Sequence, residues 1–137
     1  MSPSIPSPAS EESIQETELV LKIKFPPSYR EKMLRENGGE LKLKEGVFHL
    51  IPVRGSGGGG ETGAKAAAHD VVGATKEQKK NYTFPSDGTA FAANDAGDHL
   101  VFVKEYYHSD KLKNGVFLWN KKIGFVKRVA EDFSKLL

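Results

Sequence analysis

Residues 55–70, GSGGGGETGAKAAAHD, carry the residue types and order that most resemble a phosphate cradle. Glycines let backbone amides approach an anion closely, and the alanine-rich segment that follows could turn a helix N-terminus toward it. A loop of the G-x-x-x-x-G-K-[ST] type also needs a lysine directly after the second glycine, for the terminal phosphates, and then a hydroxyl for magnesium. Gly58 and Gly63 have the spacing, but Ala64 intervenes before Lys65 and Ala66 stands in the hydroxyl position. Charge and metal ligand are both misplaced, and no buried parallel strand clearly precedes the loop. The stretch reads as a flexible connection between a hairpin and a helix, dispensable for folding.

Catalytic and metal constellations are equally thin. His49, His69, His99 and His108 are dispersed, no H-E-x-x-H occurs, and the chain has no cysteine to act as nucleophile or thiolate ligand. His69-Asp70 and Asp98-His99 are neighbours in sequence, which a helix or strand points apart. NDAGDH, residues 94–99, lacks the ligand spacing and distal bidentate glutamate of a calcium loop and reads as a turn before a strand. No catalytic residue, metal or cofactor is therefore expected. EYYHSDK differs, because Tyr106, Tyr107 and His108 stand consecutively and an extended chain must turn at least one aromatic away from the core. Tyrosine combines apolar area with a polar tip and is enriched at protein interfaces; a strand tyrosine with a wet hydroxyl is the plainer alternative.

The elements that must position these residues follow from pattern. Residues 1–9, rich in proline and serine, read as a loose arm, and residues 10–137 as one domain. Ser10 followed by Glu11 and Glu12 predicts a helix start. Leu19, Leu21, Ile23 and Phe25 alternate as in a strand while Ile14, Glu18 and Leu21 fit a helical face, so a helix to about Leu21 and then extended chain is expected. FPPSYREKMLRENGG predicts a second helix after Pro26-Pro27, with Tyr29, Met33 and Leu34 on one face and Asn37-Gly38-Gly39 as its stop, at least one glycine having positive φ. ELKLKEGVFHLIPV reads as a hairpin ending near Pro52, and residues 64–80 as partly helical with Gly73 interrupting. TAFAAND, DHLVFVKEYY, GVFLW and GFVKRVA then read as four strands of a meander. EDFSKLL closes the chain as a short helix whose Phe133 and Leu136 are expected to cover Trp119. The class is α+β: a single, mostly antiparallel twisted sheet with N-terminal helices and a short C-terminal helix packed on it.

With this order of elements, the chain resembles the SUKH superfamily, in the branch shared by bacterial immunity proteins and a fungal cell-wall regulator. IQETELVLKIKFPPSYREKMLRENGG resembles the family's opening, with Glu18, then Phe25-Pro26, Tyr29 and Asn37-Gly38-Gly39. FAANDAGDHLVF resembles its middle motif, in which Gly97-Asp98 enters a strand, and GVFLWNKKIGFVKRVAEDFSKLL, with Trp119, its final hairpin and helix. Lys22 stands where a small residue is frequent and Asn120 where an acid commonly follows the tryptophan, while residues 54–65 and 105–114 have no counterpart in the pattern. The resemblance implies a role in binding another protein, without an active site.

Charge sets further bounds. Twenty Lys and Arg against eighteen Asp and Glu leave a formal charge of +2, too small to imply nucleic acid or membrane. The basic residues gather late, with Lys76, Lys79 and Lys80 followed by eight more after residue 100, a pattern that usually marks a solvated face. The N-terminal residues lack a basic segment followed by an apolar run, and no window approaches the ~20 apolar residues of a membrane span, so a cytoplasmic protein is expected, and the resemblance implies a bacterial one. The expected function is non-enzymatic: an immunity protein that neutralises a cognate toxin by stoichiometric binding, or alternatively an interaction module in signalling or cell-wall regulation. Tyr106, Tyr107, His108, Lys111 and Lys113 are the expected partner contacts, the lysines steering an acidic partner; the oligomeric state stays open.

Overall fold

Ser10 begins the first helix as its position ahead of two glutamates predicts. In the computed structural model, which describes residues 9–54, 70–106 and 109–137, its hydroxyl accepts the Ser13 N–H at 3.0 Å and Ser13 returns the bond at 3.2 Å. This reciprocal cap opens α1, Glu11–Leu21. The helix ends where expected, at Lys22, and extended chain leads to Pro26. Pro27 then opens α2, Pro27–Arg35, where a missing N–H costs nothing.

The stop of α2 is not the one expected. Glu36 is already extended, with φ −152°, so Gly38 and Gly39 lie beyond the helix and instead turn the chain into the sheet, with φ of 147° and 103°. Lys32 closes the helix end in their place: its Nζ donates to the carbonyls of Glu36 at 3.1 Å and Gly38 at 2.7 Å. Asn37 pins the turn by exchanging two bonds with the Val53 backbone, at 2.9 and 2.8 Å.

Six strands follow in chain order, each antiparallel to the next: β1 Glu40–Leu43, β2 Gly46–Leu50, β3 Gly88–Ala93, β4 His99–Val103, β5 Val116–Asn120 and β6 Phe125–Ala130. Between β2 and β3 lies α3, Val71–Gln78, capped by Asp70, whose carboxylate accepts the Gly73 N–H at 2.7 Å. Gly73 thus sits inside the first turn rather than interrupting the helix. Residues 64–69 of the expected helix and the glycine loop lie outside the described residues. A 3₁₀ turn, Phe133–Leu136, closes the chain and packs on α2, β1 and β6. The sheet curls enough for Lys127 of β6 to reach Glu45, in the β1–β2 turn, at 3.3 Å. The architecture is the α+β meander read from the sequence.

Both faces of the sheet's centre are buried. On one face Tyr29 stands among Phe25, Phe91, Phe102 and Phe133, with ring centroids 4.6, 5.7, 5.3 and 5.3 Å away. Ile14, Met33, Leu100 and Leu118 extend this core. On the other face Ala74 of α3 and Phe84 cover Ala90, Val101 and Trp119. Trp119 is fully buried, as expected, but not beneath Phe133 and Leu136. Alternation along β5 sends Leu118 to that side and Trp119 to the other, where Phe84 meets it edge-on at 4.9 Å and Thr83 Oγ1 accepts its indole N–H at 3.2 Å.

Candidate functional site

After Lys22 the chain runs extended through residues 23–25, so Ile23 and Phe25 enter the core while Lys22 and Lys24 stay at the surface. Lys22 itself is left-handed, with φ 58° and ψ 48°, which turns the chain out of α1. Glu18 holds the following strand: its carbonyl accepts the Ile23 N–H at 3.1 Å and its buried carboxylate the Phe25 N–H at 2.8 Å. Arg30 lies 3.6 Å from that carboxylate through Nε and also pairs with Glu11. On the far side, the Lys24 N–H donates to the Asp110 carbonyl at 2.9 Å, tying this segment to the β4–β5 connection.

Backbone bonds pair the two sides of that connection at its base. Lys104 bridges Leu112, the Glu105 N–H reaches the Lys111 carbonyl at 2.8 Å, and the Lys113 N–H reaches the Val103 carbonyl at 2.7 Å. Because β4 and β5 are interior strands, the connection projects from the end of the sheet. The two segments enclose a cleft of about 600 Å³ floored by Ile23 and Phe25, with Leu19, 76% exposed, at its rim. A second compartment of about 300 Å³ runs past Pro26, Leu112 and Phe133. Lys24, Phe25 and Asp110 line both, so the two form one groove.

Its electrostatics are unequal. Lys22, Lys24, Lys111 and Lys113 line the groove, and none forms an ion pair among the described residues. Of the acids, Glu18 is engaged by Arg30 and the Phe25 amide. Asp132 caps the 3₁₀ turn, and hydrogen bonds from Ser134, with a smaller contribution from Ser28, hold its carboxyl below the usual range. Asp110 is left among four lysines. The groove can therefore receive carboxylates on lysines while burying apolar side chains on its floor.

The expected contact residues fall partly here. Lys111 and Lys113 line the second compartment; Tyr106 lies beside it in sequence, 63% exposed, on the projecting loop. Tyr107 and His108 lie outside the described residues. Lys22, Lys24 and Arg30 were missed as site residues, because about ninety positions separate them from Lys111; the alternation of lysines with Ile23 and Phe25 was the available signal.

The motif residues hold structure. Glu18, Pro26 and Tyr29 shape the α1–α2 connection and core, and Asn37, Gly38 and Gly39 form the turn into β1. In the β3–β4 turn Gly97 has φ 90°, and Asp98 accepts the Lys121 N–H at 3.1 Å, tying that turn to the β5–β6 turn. The Tyr29 hydroxyl has no hydrogen-bond partner among the described residues, and burial pushes it far above the ordinary phenol range. His99 and Asp98 form no dyad, since the ring's Nδ1 meets the Gly97 carbonyl at 2.9 Å. Among the described residues no group of three or more His, Asp or Glu could hold a metal, and no helix is long and apolar enough to cross a membrane.

Compared with known families, residues 8–137 match the model described as SMI1 / KNR4 family (SUKH-1). No curated protein matches the chain.

Proposed function

Because the chain belongs to the SMI1 / KNR4 family (SUKH-1), we propose that it is a non-enzymatic protein-binding domain, an immunity protein of the bacterial cytoplasm that neutralises a cognate toxin by stoichiometric binding. The groove carries this reading. It is open and two-walled, with an apolar floor and, on both walls, lysines that form no ion pair among the described residues, which suits the surface of another protein. Tyr106, Tyr107 and His108 are the proposed aromatic contacts to the partner, and Lys111 and Lys113 would steer an acidic face toward the groove. A complex of this kind buries roughly 1,200–2,000 Å² in total, with aromatic anchors at the centre and charges governing encounter.

The test is a titration of the purified domain against the active product of the neighbouring gene. Inhibition should rise linearly to equimolar domain and then stay flat. Tyr106→Ala with Tyr107→Ala should speed dissociation, and Lys111→Glu should mainly slow association. No complex, with both proteins folded, would overturn the immunity reading in favour of an interaction module. Unchanged affinity in folded variants would move the contact surface elsewhere.

A further inference from the structure

We infer that the first compartment of the groove is a seat for an extended, acidic segment of the partner, with Lys22 and Lys24 reading its carboxylates; the identity of this segment as part of a partner rests on the binding function proposed above. Lys22 is the one non-glycine residue with positive φ among the described residues. Glycine adopts that conformation freely, whereas a Cβ there crowds the following carbonyl. A lysine at the end of α1 also offsets the helix dipole. That benefit would be available without strain at Leu19, which is largely exposed in the same last turn and yet is apolar. The charge instead sits at the strained position, where it lines the cleft beside Lys24.

The remaining chemistry narrows the occupant. The N–H groups of Ile23, Lys24 and Phe25 are already bonded to Glu18 and Asp110, so an incoming chain cannot add as a further strand there and must be read by side chains. Lys22 and Lys24 set two cations close together on the wall and exposed Leu19 adds apolar area at the rim, which complements a segment mixing acidic with apolar side chains. Phosphate recognition would draw on a forked arginine, but the compartment's Arg30 is engaged by Glu11 and Glu18. Single-stranded nucleic acid would need exposed rings on which to stack, and among the described residues lining the compartment the one aromatic, Phe25, is buried.

The experiment measures fluorescence anisotropy of a labelled peptide alternating glutamate and leucine, its glutamine counterpart, and a thymidine oligonucleotide. The acidic peptide should bind about tenfold tighter than the glutamine peptide at low salt, and the difference should shrink as salt rises. Lys22→Gly, which relieves the left-handed strain and so keeps the fold, should lose most of that preference; Lys22→Arg should retain it. Lys80→Gln, in the turn after α3, should bind as the parent does. Equal binding of the glutamine peptide, tighter binding of the oligonucleotide, or an unaltered preference in Lys22→Gly would overturn the seat. So would an equal loss in Lys80→Gln. Loss of the seat alongside intact toxin inhibition would leave the proposed function standing, and a peptide preference without toxin inhibition would do the reverse.

Discussion

At His99 the ring lies 5.9 Å from Trp119, and burial lowers its pKa, against a smaller raising contribution from the Gly97 carbonyl. Lys121 lowers it further and Asp98 opposes. The unfolded chain therefore takes up a proton before the folded one does, so the contribution of neutral His99 is complete above about pH 6.5 and is lost as pH falls below that value. Urea unfolding from pH 8 to pH 5 should show stability falling through this window, and His99→Gln should flatten the curve there. Lys22 offers a second single-residue test: Lys22→Gly should stabilise the fold by about 0.5–1 kcal/mol, read as a higher urea midpoint at unchanged slope. The position of Lys111 and Lys113 in a segment with aromatics and without a family counterpart made them candidates in the sequence, and the structure places both on the groove. Lys22 was noticed only as a departure, because its backbone conformation is fixed by where α1 stops and not by any neighbouring residue type.

Helices and strands carry local signals, and those were readable. Ser10 with its glutamates, Pro27 at the first turn of α2, and the Phe- and Val-rich runs of β3 to β6 each announce themselves within a few residues. The face on which Trp119 is buried did not, because period-two alternation separates Leu118 from Trp119 without saying which neighbour covers which side. The continuous burial of His99 to Phe102 marks a strand covered on both faces, and the apolar Leu-Val-Phe run was its sequence signal. Trp119 fluorescence should accordingly be blue-shifted and move to the red on unfolding, and Trp119→Ala should cost about 3–5 kcal/mol. The start of β5 gives a stricter test. Gly115 has φ 109°, and a Cβ there would stand 2.8 Å from the Ala130 carbonyl and 2.7 Å from Arg128 Cδ. Gly115→Ala should destabilise by about 2 kcal/mol or more, since both backbone conformation and the β6 backbone resist it.

Across the whole molecule the small net charge conceals an uneven surface. The groove joins lysines from two distant segments, Lys22 and Lys24 with Lys111 and Lys113, through one backbone bond from Lys24 to Asp110. No sequence pattern predicts that juxtaposition, because it arises only when the α1–α2 connection is laid against the end of the β4–β5 hairpin. The central claim is that this groove receives a protein partner. Acetylation footprinting tests it most directly: the domain, alone and in complex with the neighbouring gene's product, is treated briefly with acetic anhydride, and each lysine's modification is read by mass spectrometry. The expected result is strong protection of Lys22, Lys24, Lys111 and Lys113 in the complex, with Lys80 and Lys122 as reactive as before. A stable complex in which the four groove lysines keep their full reactivity would contradict the account.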